Sequence, residues 1–301
     1  MPTSDGSPDY YVRPMTLDDV AAVERITDVA YYDVDVRTHR VGRPEPAHRS
    51  EARAALWQRR TTHILRHDAG GCWVAEDESG VLGAAASMRR DLTWVLAAYA
   101  VRPGLQGRGV GRQLLDAASA YGSGCLRAML SASEDPKALR HYRLAGFSLQ
   151  PTMLLRGTVP RDALPVVERV REGSAGDIDL MNSVDRQVRD SAHGVDHEFM
   201  TQAHPLVVVD RSTGSGYAYV EPGGGTYLLA ATNRRTAADL LWESLAASTP
   251  DEPVSVGHLT AENEWALDVG MACRLELDTQ GYLALRGMRT PVPYLPSGHF
   301  L

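Results

Sequence analysis

Four glycines lie within eight residues of the stretch VRPGLQGRGVGRQLLDAASAYG, residues 101–122. They precede a segment whose apolar residues have the spacing of an amphipathic helix. The first N–H groups of a helix have no partner inside the helix and carry part of its dipole. Glycines ahead of them let an anion approach the bare backbone closely. The stretch therefore predicts a phosphate or diphosphate site at the start of a helix.

The spacing of these glycines separates three kinds of phosphate loop. A P-loop requires a lysine after its last glycine, and this loop contains none. The dinucleotide motif GxGxxG fails as well, because Arg112 or Leu114 stands where its third glycine is required. The third pattern, Q-x-x-G-x-G, is met by Gln106, Gly109 and Gly111.

With Val101 and Pro103 ahead of it, this loop resembles the acyl-CoA signature of the GNAT superfamily of N-acetyltransferases. The resemblance implies that the loop binds the diphosphate of acetyl-CoA, which serves as cosubstrate. The residues that it places at the cofactor are Val101, Gln106, Gly107, Arg108, Gly109, Val110, Gly111 and Arg112.

A second stretch, DPKALRHYRLAGF at residues 135–147, resembles another GNAT motif. The family positions are met by Ala138, Tyr142, Gly146 and Phe147. Asp135 stands where the family has asparagine, at a position that the resemblance places beside the cofactor. It also implies that Tyr142 donates a proton to the departing CoA sulfur. The resemblance further implies that the amine attacks the thioester directly, before the sulfur departs, while the backbone N–H near Val101 polarises the carbonyl.

The sequence leaves the general base open. The strand LTWVLAAYAV, residues 92–101, carries no acidic residue. The candidates are a water chain, the side chains of Glu76, Asp77, Glu134 and His48, and the terminal carboxylate of Leu301. Asp33 and Asp35, predicted to follow the first helix, are candidates to receive a cationic amine, although a solvated loop is the simpler interpretation and the favoured one.

An internal repeat predicts two related domains. VRPMTLDDV, residues 12–20, resembles VREGSAGDI, residues 170–178, and each carries the pattern of a capping box. MLLRG, residues 153–157, likewise resembles LALRG, residues 283–287. We expect an α/β fold of two tandem GNAT-like domains, each a mixed, mostly antiparallel sheet flanked by helices. Residues 1–158 form the catalytic domain in this prediction, and residues 159–301 a degenerate copy with a C-terminal tail.

The later copy has lost both motifs. ATNRRTAADLL, residues 231–241, contains no glycine, and Gly270 stands where the second motif requires tyrosine. The second half is therefore expected to be catalytically silent, and to form one side of the acceptor pocket or to complete a dimer. A rival is a tandem protein like the mycothiol synthases, whose active half is the C-terminal one; the position of the motifs here counts against it.

Periodicity and turn residues place the elements of the first half. Helices are predicted at residues 16–31, 47–67, 109–121 and 136–144. Strands are predicted at 10–15, 72–77, 81–90, 92–101, 125–131 and 147–157. Two pairs of histidines lie four residues apart, in HILRH and HGVDH, but neither forms HExxH, and no metal site is expected.

Composition restricts the partners. The net charge of −7 disfavours nucleic acid and suits a small-molecule amine, including a cationic one. The polar N-terminus lacks a signal-peptide pattern, and no apolar run is long enough for a membrane span. The three cysteines have no CxxC spacing, which favours a reducing compartment, so the expected location is the cytoplasm. We expect an N-acyltransferase, monomeric or homodimeric, using acetyl-CoA. A CoA-binding sensor or scaffold without turnover is the alternative.

Overall fold

The fold was analysed in a computed structural model that describes residues 10–301. Residues 1–9, which belong to the polar N-terminus without a predicted signal peptide, lie outside the described residues. The contacts within the chain define two compact units. The first comprises the residues up to Arg89 together with Leu96–Gly124, and the second comprises Arg90–Val95 and Cys125–Leu301.

The first unit contains four strands and three helices. They are β1 (Tyr11–Pro14), α1 (Val20–Thr38), α2 (Glu51–His67), β2 (Cys72–Asp77), β3 (Gly80–Arg90), β4 (Thr93–Val101) and α3 (Val110–Tyr121). Arg90 of β3 and the start of β4 belong to the second unit. The strand order is β1-β2-β3-β4, and β2 is antiparallel to both β1 and β3. Helix α3 packs on β2. The glycine loop precedes α3 and follows β4.

The second unit contains the remaining elements. They are β5 (Arg127–Ala132), α4 (Pro136–Leu144), β6 (Ser148–Thr158), β7 (Arg171–Glu172), α5 (Ile178–Arg189), α6 (Asp196–Ala203), β8 (Leu206–Arg211), β9 (Gly214–Val220), β10 (Thr226–Ala231), α7 (Arg234–Ala246), β11 (Pro253–Leu259), α8 (Glu264–Ala272), β12 (Glu276–Arg286) and β13 (Tyr294–Leu295). Five of the strands form a sheet in the order β13-β10-β9-β8-β7. The other four follow the order β5-β12-β6-β11.

The two halves of the sequence exchange strands in this second unit. Strand β12 is antiparallel to both β5 and β6, and β6 is antiparallel to β11. The strands from the earlier and the later half therefore alternate. The repeated segments MLLRG and LALRG lie in or at the end of β6 and β12, the two strands that pair at the centre. The domain boundary predicted after residue 158 coincides with the end of β6, which lies inside the second unit. That the repeat divides the chain into two domains at this residue stays a prediction.

The local patterns of the sequence specify most element ends. Both predicted capping boxes are confirmed, Thr16 with Asp19 and Ser174 with Asp177, at the starts of the equivalent helical segments. The short 3-10 turns that they cap lead directly into α1 and α5. The predicted fold class, with mixed sheets flanked by helices, is confirmed as well. No helix in the described part of the chain is long and apolar enough to cross a bilayer.

The first helix extends further than predicted. It was expected to end at residue 31, with Asp33 and Asp35 in a loop, but α1 continues to Thr38. No glycine or proline interrupts residues 20–41, and the Arg37 guanidinium contacts the Asp33 carboxylate at 3.0 Å across one helical turn. The loop prediction for these two aspartates is therefore wrong.

Candidate functional site: the glycine loop and its surroundings

The glycine loop joins β4 to α3 over residues 102–109. Gly104, Gly107 and Gly109 have positive φ angles of 82°, 87° and 91°, a region that side chains with a Cβ strongly disfavour. Gly109 is the N-cap of α3 and offers no side chain to bond the first N–H groups of that helix. The start of α3 thus presents unfilled backbone donors beside flexible, bare main chain.

Gly111 lacks a side chain for a different reason. A Cβ on Gly111 would lie only 2.4 Å from the Tyr99 hydroxyl oxygen. Burial, with a further contribution from Asp116, raises the pKa of Tyr99 to about 12, so the phenol stays protonated. The last glycine of the motif accommodates the packing of a tyrosine from β4. Sequence reasoning missed Tyr99, although it is the one polar-tipped aromatic among small and aliphatic residues at the end of this strand.

The remaining predicted cofactor residues surround this loop. Val101 and Val110 are buried at its two ends, and Gln106 is half-buried. Arg108 and Arg112 are exposed, and Arg112 makes a loose ion pair with Asp116 at 3.7 Å. Two guanidinium groups are therefore close in sequence to the uncapped helix start and accessible to a charged ligand.

Asp28 on α1 forms a histidine–carboxylate pair with His48, which lies just ahead of α2. The Asp28 carboxylate Oδ2 lies 2.6 Å from His48 Nδ1, and its Oδ1 accepts a hydrogen bond from the Arg49 backbone N–H at 2.9 Å. The His48 ring stacks on Tyr32, with 4.0 Å between ring centroids. Burial opposes ionisation of Asp28, but the contacts with Arg49 and His48 outweigh it and lower the pKa of its carboxyl. The carboxylate thus orients one ring nitrogen of a half-exposed histidine.

The same helix reaches the strand that leads into the loop. The backbone N–H of Tyr99 donates to the hydroxyl of Tyr31 at 3.4 Å. Tyr31 is three residues after Asp28, which places both on neighbouring turns of one face of α1. The His48–Asp28 pair and the end of β4 are therefore connected through a single turn of helix.

The other candidates for a base have local structural partners. Glu76 accepts hydrogen bonds from Tyr11 and Arg13, which lower the pKa of its carboxyl. Asp77 accepts from the backbone and side chain of Ser79 in the turn before β3, and its pKa is lowered too. These carboxylates stabilise a strand pairing and a turn.

Three further acidic groups have different settings. Glu134 is half-buried, just ahead of α4. Leu301 is fully buried, and its main-chain oxygen lies 3.1 Å from His193 Nε2. Asp35 faces solvent, yet desolvation by the surrounding protein raises the pKa of its carboxyl.

The second motif builds helix α4 in the second unit. The Asp135 carboxylate accepts hydrogen bonds from the N–H groups of Lys137 and Ala138, at 2.7 and 3.2 Å, and so caps this helix. Tyr142 is 5% exposed and packs edge-to-face on Phe147, with 6.3 Å between ring centroids. The aspartate in place of the usual asparagine has a structural role as an N-cap. Its contact with the cofactor stays a prediction.

The equivalent corner of the second half is closed. Strand β10 ends at Ala231 and α7 begins at Arg234, so only two residues connect them. One of these, Asn233, caps the helix, and its side chain accepts a hydrogen bond from the Thr236 N–H at 2.9 Å. A side chain therefore caps the N–H groups at the start of α7, whereas no side chain caps those of α3. Strand β13 also pairs with the edge of β10.

The equivalent of the second motif is filled as well. A Cβ on Gly270 would lie 2.3 Å from a methyl group of Leu155, on the exchanged strand β6. A tyrosine therefore cannot occupy this position without repacking. Asn263, at the start of α8, donates to the Pro291 carbonyl and accepts from the Tyr294 N–H, which fixes the C-terminal segment.

Residues 68–149 match the family model described as the acetyltransferase (GNAT) domain, a range that contains the glycine loop and all of α4. This stretch of the chain is similar to GNAT acetyltransferase domains. The family resemblance drawn from the two motifs is thereby confirmed. GNAT enzymes transfer acyl groups from CoA, so acetyl-CoA is the cosubstrate that fits the family. No curated protein matched the sequence.

Solved structures extend the likeness of the fold to most of the chain. A candidate acetyltransferase from Pyrococcus horikoshii is 16% identical, with a TM-score of 0.70, over 93% of this chain and 90% of that one. A GCN5-related N-acetyltransferase from Sphaerobacter thermophilus is 14% identical, with a TM-score of 0.58, over 94% and 97% of the two chains. A GCN5-related N-acetyltransferase from Kribbella flavida is 14% identical, with a TM-score of 0.56, over 92% and 70%. At these identities the comparison shows the GNAT fold and no particular acceptor.

The contact between Gly111 and Tyr99 generates a test. We expect Gly111→Ala to destabilise the protein by about 1–3 kcal/mol, because the new methyl group overpacks against the Tyr99 hydroxyl. Adding Tyr99→Phe removes that oxygen and should restore most of the loss. Urea unfolding of the two single variants and the double variant measures the coupling. Strictly additive effects would contradict this reason for the glycine.

Proposed function

We propose that the chain is an N-acetyltransferase that moves an acetyl or other short acyl group from CoA to a small-molecule amine. The observation that carries the proposal is the uncapped start of α3 behind three left-handed glycines, within the segment that matches the GNAT domain. The diphosphate of CoA is the expected ligand of these N–H groups, supported by Arg108 and Arg112. The net charge of −7 favours a cationic amine.

In this proposal His48 is the general base. An amine must be neutral to attack a thioester, so the reaction requires a group that removes its proton. Asp28 Oδ2 lies 2.6 Å from His48 Nδ1, which orients the ring and leaves Nε2 to take up the proton of the amine. Two carboxylates of the first unit, Glu76 and Asp77, were also candidates for the base, but both are held in structural hydrogen bonds.

Tyr142 is the proposed general acid. Its assignment comes from the family resemblance, and its side chain is buried against the Phe147 ring. Transfer is proposed to be direct: the amine nitrogen forms a bond to the acyl carbon, the carbon–sulfur bond breaks, and the thiolate receives a proton.

We further propose that catalysis belongs to residues 1–158 and that residues 159–301 are a silent copy. The short connection to α7, its Asn233 cap and the packing of Leu155 at Gly270 support this assignment. They also argue against an active C-terminal half like that of the mycothiol synthases.

The direct experiment replaces the N-cap of α3. Gly109→Val should weaken CoA binding by several kcal/mol, because the side chain disturbs the backbone that holds the diphosphate. Gly42→Val is the matched control, since Gly42 has a nearly equal φ of 90° and open space around it. Calorimetry with CoA measures affinity, and thiol release with an amine panel measures turnover. Equal CoA affinity in both variants would contradict the proposed site; binding without thiol release across the panel would favour a sensor.

For the base, we expect His48→Gln to lower kcat by roughly 10²-fold while CoA affinity stays within about twofold of the wild type. Asp28→Asn should cause a smaller loss, because the histidine remains but its orientation weakens. His63→Gln, on α2, serves as the control. Steady-state kinetics with the best amine of the panel decides, and an unchanged kcat in His48→Gln would exclude this residue as the base.

For the acid, Tyr142→Phe should lower kcat by roughly 10²-fold and leave the KM for acetyl-CoA nearly unchanged. Tyr282→Phe, at a half-exposed position of β12, should behave like the wild type. A Tyr142→Phe enzyme with normal kcat, measured by thiol release under saturating substrate, would remove Tyr142 from the mechanism.

A further inference from the structure

Three buried side chains with metal-binding atoms meet in the second unit, in a group that the proposed transferase mechanism does not use. They are Asp185 on α5, His193 in the connection that follows, and His197 on α6, and each is fully buried. One atom from each lies within 4.8 Å of the atoms of the other two. Asp185 Oδ2 is 2.7 Å from His193 Nδ1 and 3.0 Å from His197 Nε2. We refer to these three residues as the histidine cluster.

Each member of the histidine cluster is fixed from behind. His193 Nε2 lies 3.1 Å from the main-chain oxygen of Leu301, and His197 Nδ1 lies 3.1 Å from the Tyr219 hydroxyl. The outer oxygen of Asp185 accepts a hydrogen bond of 2.5 Å from the Tyr217 hydroxyl. Outer contacts of this kind orient the ligands of metal sites, because they select the tautomer and direct the free lone pair at the ion.

The contacts of His193 Nε2 are compatible with a ring whose Nδ1 offers its lone pair to an ion. The Leu301 main-chain oxygen, 3.1 Å from Nε2, can accept a hydrogen bond from it, and the Tyr294 hydroxyl, 3.3 Å from the same nitrogen, can accept as well as donate. With the hydrogen on Nε2, Nδ1 of the neutral ring presents its lone pair toward Asp185 Oδ2, 2.7 Å away. These two atoms can then both serve as ligands of one ion.

We propose that Asp185, His193 and His197 bind a divalent transition-metal ion of the zinc class. Two imidazole nitrogens and one carboxylate oxygen form a donor set that such ions prefer. A further oxygen, the Tyr217 hydroxyl, lies 3.3 Å from His193 Nδ1. Neighbouring ligands of a tetrahedral ion lie about 3.3 Å apart, so the Asp185–His193 and Asp185–His197 separations of 2.7 and 3.0 Å must widen by about 0.6 and 0.3 Å when the ion binds.

The complete burial of the histidine cluster assigns the ion a structural role, linking α5 to α6. The expectation of no metal site considered the two histidine pairs in HILRH and HGVDH by their spacing alone. The carboxylate that completes the set, Asp185, lies eight residues before His193, and only the turn after α5 brings it to the histidines.

The test uses the full chain, purified without a histidine tag and without chelator. Elemental analysis should find about one zinc-class ion per chain. After removal of metal with a chelator, the melting temperature should fall, and addition of Zn²⁺ should restore it. Titration with Co²⁺ should produce a visible absorption band that saturates at about one equivalent.

Variants locate the ion. His197→Gln should abolish the Co²⁺ band, and Tyr217→Phe should weaken Co²⁺ binding by about tenfold. His63→Gln with His67→Gln is the matched control, because these histidines have the same four-residue spacing on α2 and should leave the band intact. Should His197→Gln fail to fold, the wild-type titration and the Tyr217→Phe affinity still decide.

A folded wild-type protein that contains no metal, binds no Co²⁺ and melts at the same temperature with and without chelator would overturn the proposal. Asp185 and His193 would then be joined by a hydrogen bond alone, and the cluster would be a hydrogen-bonded part of the core. Loss of the Co²⁺ band in the His63→Gln, His67→Gln control would overturn it equally.

Discussion

The start of helix α3 determines how the proposed site works, because a backbone donor can bind an anion only when nothing else has bound it. A side-chain cap, such as Asn233 on α7 or Asp135 on α4, satisfies these N–H groups inside the protein. Gly109 provides no such group, and the left-handed glycines before it keep the approach clear of Cβ atoms. The open helix start is unfavourable for stability alone, which is a reason to read it as a binding feature.

The second half of the chain, which we propose to be a silent copy, has no open helix start at the corresponding place. Only two residues connect β10 to α7, Asn233 caps that helix, and Leu155 packs against Gly270. Because Leu155 belongs to β6, the packing at Gly270 depends on the strand exchange between the halves. In the proposed reading, the groups at these positions stabilise the core and do not contact a ligand.

Local sequence patterns predicted the fold where short-range chemistry decides it. The two capping boxes, the glycine loop and helix α4 follow from residues within a few positions of one another. The strand exchange could not be predicted, since β6 and β12 carry the same repeated segment and either half could supply the neighbouring strand. Tyr99 beside Gly111, the Asp28–His48 pair and the histidine cluster all depend on contacts between separate elements. Their residue types were visible in the sequence, but their partners were not.

The most direct measurement of the central claim is a crystal structure of the full chain with CoA bound. The account predicts that the diphosphate oxygens lie within hydrogen-bond distance of the backbone N–H groups at the start of α3, between Gly107 and Arg112. Diphosphate density at the start of α7, or CoA bound without any contact to the glycine loop, would contradict it.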